Sequence, residues 1–261
     1  MNSTRRRFEG KTIVVTGAAQ GIGEAVARWL IAEGAFVYAL DINEDRLARL
    51  SAGMNRERHV MEAMAVDIRA RDGVEAAVHR MEMQRPIDGL VNVAGVLYPC
   101  SFEAMTPERW LETFNVNVHG TFFISHEVAR KMIGRGGGVI VTVASNAAST
   151  PRVGMSAYCA AKAAIAMLTK CMGLELAKYG IRCNVVSPGS TNTPMLKAMG
   201  EHGEMRNRRL IEGDLNTYRT GIPLGRIAEA EDVASAVAFL LSEDARHITL
   251  HDLVVDGGAT P

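Results

Sequence analysis

A single doubly wound α/β sheet, of Rossmann type with helices on both faces, is the fold class this sequence predicts. Three observations predict it. Short runs rich in Val and Ile recur along the 261 residues, at 12–16, 36–41, 60–66, 90–93, 139–143, 182–187 and 253–255. Amphipathic stretches separate them, at 21–33, 44–50, 70–83, 107–132 and 156–179. A glycine-rich turn joins the first run to the first helical stretch. Runs that are nearly continuous in apolar character read as strands covered on both faces. Strand followed by helix, repeated, gives crossover units and a parallel sheet of about seven strands. No Ser/Pro-rich linker, repeat or low-complexity tract interrupts the pattern, so residues 1–261 read as one domain.

The first run ends in Thr16-Gly17-Ala18-Ala19-Gln20-Gly21-Ile22-Gly23. Glycines let the backbone approach a pyrophosphate, and the free N–H groups of a helix start attract its charge. No Gly-Lys-Ser/Thr follows, which argues against a nucleoside-triphosphate loop. The second run ends at Asp41. A carboxylate there bonds both hydroxyls of an adenosine ribose and repels a 2′-phosphate. Ile42 comes next, and Arg46, a turn further on, is the nearest basic alternative. NAD is therefore expected over NADP.

Tyr158 and Lys162 stand four apart in a strongly helical segment and share one helix face. A phenol with its pKa near 10 is a poor base at neutral pH. A neighbouring ammonium favours the phenolate, so the pair is expected to abstract a proton from an alcohol. Ser145, at the end of a buried run thirteen residues upstream, makes a catalytic reading stronger than a decorative one. Arg152, on the loop between Ser145 and Tyr158, can bind a substrate carboxylate with paired hydrogen bonds. The stretch 193–220 is polar and holds Gly200, Gly203 and Gly213; it reads as a substrate-side lid.

Twenty-nine basic and 29 acidic residues balance, so no global field favours nucleic acid or an anionic membrane. The run Arg5-Arg6-Arg7 reads as a solvated tail. No stretch approaches a membrane span, and no apolar signal core opens the chain. Cys100, Cys159, Cys171 and Cys183 lack metal-like spacing and read as buried reduced thiols, which fits a cytoplasmic location.

Taken together, Thr16–Gly23, Asn92-Val93-Ala94-Gly95, Asn117, Ser145, Tyr158-x3-Lys162 and Pro188-Gly189 resemble the short-chain dehydrogenase/reductase family, in order and over the whole chain. The resemblance implies roles. Ser145 orients the substrate oxygen, Tyr158 transfers the proton, and Lys162 lowers the tyrosine pKa and bonds the nicotinamide ribose. Asn117 holds a water in a proton relay. Asp67 and Ile68 contact adenine; Asn92, Ala94 and Gly95 flank the cofactor. The stretch from Pro188 through Gly189 and Thr191 to Thr193 lies over the nicotinamide. A homotetramer is implied as well.

Within that family the segments 140–145, 150–158, 173–177, 181–191 and 247–258 resemble the 2,3-dihydro-2,3-dihydroxybenzoate dehydrogenases. These supply catechol for siderophores, and the partner so implied is a small carboxylated cyclohexadiene diol. After Thr193 the chain departs from that group's pattern, reading Pro194-Met195-Leu196-Lys197-Ala198-Met199 without a Trp. The residues leave other alcohols open: a dihydro-hydroxyanthranilate, or a carrier-bound 3-oxoacyl group for which Arg206, Arg208 and Arg209 form a basic patch. A nucleotide-sensing scaffold is the non-enzymatic alternative.

Overall fold

A computed structural model describes residues 6–55, 59–199 and 203–260. Arg5 of the basic run, Gly200 of the excursion and the side chain of Arg206 lie outside the described residues. The strands are β1 (Thr12–Thr16), β2 (Phe36–Asp41), β3 (Met61–Ala65), β4 (Gly89–Asn92), β5 (Gly138–Val143), β6 (Ile181–Pro188) and β7 (Asp252–Val255). The helices are α1 (Gly21–Ala32), α2 (Glu44–Met54), α3 (Arg71–Gln84), α4 (Pro107–Phe114), α5 (Thr121–Arg135), α6 (Ser156–Leu176), α7 (Pro194–Lys197), α8 (Glu204–Glu212) and α9 (Ala230–Leu241).

Every strand pairs in parallel, in the order β3-β2-β1-β4-β5-β6-β7. Successive side chains of a strand point to opposite faces, and β1 divides accordingly. Ile13 and Val15 join a core closed by Val26 and Leu30 of α1, Leu47 of α2, and Val233 and Val237 of α9. Val14 faces the other layer, with Val74 and Met81 of α3 and Ile124 and Met132 of α5. Burial on both faces explains why the strands carry no polar alternation. The strand order reverses between β1 and β4, and ligands of such sheets bind at the carboxyl ends of the strands flanking that point.

Three departures from the sequence expectation carry information. The helical stretch 107–132 is not continuous: a six-residue π turn, Asn115–Gly120, separates α4 from α5. Such turns recur at functional sites, and this one carries Asn117, which is fully buried. The excursion at 193–220 forms α7, α8 and a 3₁₀ turn, Leu215–Thr217. It returns through reciprocal backbone bonds between Asp214 and Arg219, each 3.0 Å. Finally, only Cys183 of the four free thiols is buried, and burial pushes it up to about 12. Cys100 and Cys159 are half-buried and Cys171 is exposed, against the expectation of four buried thiols.

Candidate active site

A groove of about 410 Å³ runs along the carboxyl ends of the strands, within the ~300–1,000 Å³ common for ligand sites. Gly17, Gln20, Gly21, Ile22 and Gly23 line one end of it. A Cβ added to Gly23 would stand 2.0 Å from the Gly17 carbonyl oxygen, so only glycine permits this turn. Gln20 sits at the N-cap of α1 but gives the helix no side-chain cap. The first-turn N–H groups thus lack a side-chain acceptor, which suits a phosphate. Asp41 clamps the turn to the end of β2: one carboxylate oxygen accepts from the Ala19 N–H at 3.1 Å, the other from Asn43 at 2.9 Å. The carboxylate still lines the groove. Arg46 donates to the Gln20 side-chain oxygen, while Ile42 is exposed.

Sequence reasoning overlooked Thr16 as more than the end of a strand. Its hydroxyl accepts from the N–H groups of Val93 (3.0 Å) and Ala94 (3.2 Å), tying β1 to the loop after β4 at the point of reversal. Val93, Ala94 and Gly95 line the groove, whereas Asn92 does not. The Asn92 amide is buried and donates to the hydroxyls of Ser125 (2.8 Å) and Thr142 (3.3 Å), which ties the end of β4 to α5 and β5. Asp67 lines the groove, but Arg69 holds its carboxylate by a bond of 2.7 Å. That bond keeps Asp67 below its ordinary range against the opposing pull of burial. Ile68 also lines the groove and packs against the π turn, where a Cβ on Gly120 would stand 2.6 Å from its side chain.

Ser145 follows β5, and Tyr158 and Lys162 project from the first turns of α6. The phenol is hydrogen-bonded to Ser145, whose hydroxyl also accepts from the Ala147 N–H at 3.1 Å. Lys162 is buried, donates to the Val143 carbonyl at 2.9 Å, and stands 5.6 Å from the centre of the Tyr158 ring. Burial acts on both groups in the same sense, disfavouring charge. It pushes the Tyr158 phenol up to about 12, with the Ser145 bond opposing, and pushes the Lys162 ammonium down to about 8. The direction for Tyr158 is thus upward, set by desolvation, and opposite to the depression expected from the neighbouring lysine.

Asn117 is anchored by its side chain. Its side-chain oxygen accepts from the Val96 N–H at 2.8 Å and its nitrogen donates to the Val96 carbonyl at 2.9 Å. This backbone clamp fixes the π turn against the loop after β4. Gly95 lets this clamp and the lysine converge: a Cβ there would lie 3.0 Å from the Asn117 oxygen and 3.6 Å from Lys162 Nζ.

Pro188, Gly189, Thr191 and Thr193 line the groove on its β6 side. Thr193 caps α7 through the Leu196 N–H. Gly189 packs against Asp256, and a Cβ there would stand 2.6 Å from the Asp256 Cβ. Burial raises Asp256, but bonds from Thr260, Asn146, Gly258 and Ala259 outweigh it and hold the carboxyl below its usual range. Asn146, the residue after Ser145, donates to this carboxylate at 3.2 Å. A Thr220 hydroxyl bond to the Ala259 carbonyl, 3.2 Å, joins the excursion to the same segment.

The far end of the groove is lined by Arg152, Met155, Leu196, Met199, Arg219 and Ile222. Arg219 had no signal in the sequence beyond its place in a polar stretch. The structure brings it beside Met155, three residues before Tyr158, with 3.8 Å between the guanidinium and the Met155 sulfur. Arg208 pairs instead with Glu212 at 2.9 Å on the exposed side of α8.

A glycine-turn groove at the reversal of a parallel sheet, with Ser, Tyr and Lys at its middle, defines an oxidoreductase that uses a nicotinamide dinucleotide. Residues 11–204 match the short chain dehydrogenase family, and the chain belongs to it. It is 49% identical to the 2,3-dihydro-2,3-dihydroxybenzoate dehydrogenase of Bacillus subtilis (strain 168), over 97% of both chains. It is 42% identical to the vibriobactin-specific 2,3-dihydro-2,3-dihydroxybenzoate dehydrogenase of Vibrio cholerae serotype O1, over 95% of both. Among solved structures, a gluconate 5-dehydrogenase from Burkholderia cenocepacia J2315, in complex with NADP and tartrate, superposes with a TM-score of 0.90. That likeness covers 98% of this chain and 97% of the other at 31% identity.

Proposed function

We propose that the chain oxidises 2,3-dihydro-2,3-dihydroxybenzoate to 2,3-dihydroxybenzoate with NAD, a step that makes catechol for siderophores. The observation that carries this reading is the bonded Ser145–Tyr158 pair above the buried Lys162, in a groove whose far end holds Arg152. The full-length likeness to enzymes of that name supports the choice of alcohol. Bound NAD would supply the hydride acceptor for the ring carbon that bears the 3-hydroxyl. Ser145 holds that hydroxyl and Tyr158 removes its proton. Lys162 supplies a positive charge to the phenolate from below. The enone so formed becomes aromatic by tautomerising, which draws the oxidation forward and asks little of the protein.

Gly17 through Gly23 would hold the pyrophosphate, Asp41 the adenosine ribose, and Asp67 and Ile68 the adenine. Ala94 and Gly95, with the stretch from Pro188 to Thr193, would flank the nicotinamide. The Asp41 carboxylate favours NAD, because a 2′-phosphate brought against it meets like charge. Asp41→Ala is expected to weaken NAD about tenfold, the worth of a charged hydrogen bond, and to erase the discrimination against NADP. Steady-state kinetics with both cofactors measure this; an unaltered NAD preference would remove Asp41 from that role.

Residues 1–261 act as one catalytic domain in this reading, with 193–220 closing over the substrate. We infer a homotetramer in the cytoplasm. Phe122 on α5, Met167 and Leu174 on α6, and Val254 on β7 are exposed apolar residues that such an assembly would cover. Purified protein given NAD and the dihydrodiol acid is expected to accumulate NADH and 2,3-dihydroxybenzoate together. Turnover of simple cyclic alcohols without turnover of that acid would refute the assignment.

A further inference from the structure

Arg152 and Arg219 come from separate segments, the loop before α6 and the return of the excursion, yet both line the far end of the groove. Among the described residues neither forms an ion pair or a hydrogen bond to a carboxylate; the Arg219 guanidinium approaches the Met155 sulfur at 3.8 Å. Met155 is itself buried. Burial and the charge of Arg152 both depress the Arg219 pKa, against the opposing pull of Asp214 and Cys159. Two cations near one another in a partly desolvated pocket are an arrangement that an anion completes.

The backbone under Arg219 is fixed. Its N–H and C=O both bond Asp214. Tyr218, just before it, holds a left-handed φ of 55°, a conformation that bulky residues adopt at a cost. Ile222 bonds the Ile211 carbonyl at 2.8 Å, so the segment is anchored on both sides of the arginine. The same groove is lined by the apolar Met155, Leu196, Met199 and Ile222. Such side chains suit the face of a flat hydrocarbon ring.

We propose that Arg152 and Arg219 together form a two-guanidinium seat for the carboxylate of a ring substrate, with Arg219 a specificity-determining residue supplied by the excursion. The identity of the ring rests on the reaction proposed above; the seat itself rests on the two arginines and the apolar lining. Guanidinium forks match a carboxylate in plane, and two of them fix which way the ring enters past Tyr158.

The test uses the NAD-loaded enzyme and two stable probes, salicylate and its neutral counterpart salicylamide, as inhibitors. Arg219→Met is expected to weaken salicylate on the order of 30-fold, the loss of one charged hydrogen-bonded contact, and so to collapse the preference for salicylate over salicylamide. Arg219→Lys recovers part of it, as a point charge without the fork. The double variant with Arg152→Met loses less than the product of the two single losses, because the arginines share one ligand. Equal loss on both probes, a wild-type enzyme that does not prefer salicylate, or inorganic phosphate competing as well as salicylate would each overturn the seat. Should Arg219→Met fail to fold, the lysine variant against wild type carries the comparison, and no change in the salicylate preference there overturns the proposal. A wild type that prefers salicylate but does not oxidise the dihydrodiol acid would sink the proposed reaction and leave the seat standing.

Discussion

Tyr158→Phe is expected to lower turnover about 1,000-fold, the usual worth of a positioned general base, while NAD affinity changes less than about threefold. The two effects separate because the phenol sits at the middle of the groove, away from Asp41 and the Gly17–Gly23 turn. Folding should not suffer. Burial already holds the phenol neutral, pushed up to about 12, so removing its oxygen takes away no charge. The Ser145 hydroxyl loses a partner but keeps the Ala147 N–H at 3.1 Å. Stopped-flow turnover and a cofactor titration on the same preparation make the comparison. Residual turnover above a tenth of wild type would remove Tyr158 from proton transfer.

The second large effect concerns Lys162, where stability and activity should move in opposite directions. Its ammonium is buried and held at about 8, below the ordinary 10.5. A group whose folded pKa is lowered binds fewer protons folded than unfolded between those two values. Stability of the cofactor-free protein should therefore rise with pH from about 8 to about 10.5. Below that window the buried charge costs up to about 3 kcal/mol, at ~1.4 kcal/mol for each pKa unit. Lys162→Met removes that cost and orphans the Val143 carbonyl, a loss of about 1 kcal/mol. The net expectation is a gain of about 1–2 kcal/mol at neutral pH, seen as a melting temperature higher by about 3–6 °C. The rise with pH should vanish in the variant, and turnover should fall by at least about 100-fold. A lower melting temperature at neutral pH would show that the ammonium is no burden to the fold.

How far the sequence could be read depended on whether a property was local. The seven strands and the repeated crossovers followed from apolar runs and their spacing, because burial on both faces leaves its mark residue by residue. The Gly17–Gly23 turn and the i, i+4 relation of Tyr158 to Lys162 were legible for the same reason. Desolvation was not. It depends on what packs over a side chain, so the Tyr158 pKa moved opposite to the direction inferred from its charged neighbour alone. Asn92 and Asn117 stand where the motif sets them, yet hydroxyls on α5 and β5 claim one amide and the Val96 backbone claims the other. The π turn that carries Asn117 leaves the same apolar spacing as a continuous helix. Arg219 was invisible because a chain reversal between Asp214 and Arg219, and not any periodic pattern, delivers it to the groove.

The Asp256 carboxylate joins parts of the groove that lie far apart in sequence. Asn146, next to Ser145, and Gly189, just after β6, both rest on it. Thr220 fastens the arginine-bearing return three residues further along the same short stretch, at Ala259. Three segments of the chain thus share one support: the loop after β5, the stretch after β6 and the return of the excursion are all fastened to Asp256–Ala259, so a single short piece of backbone sets the spacing between the serine side of the groove and its arginine side.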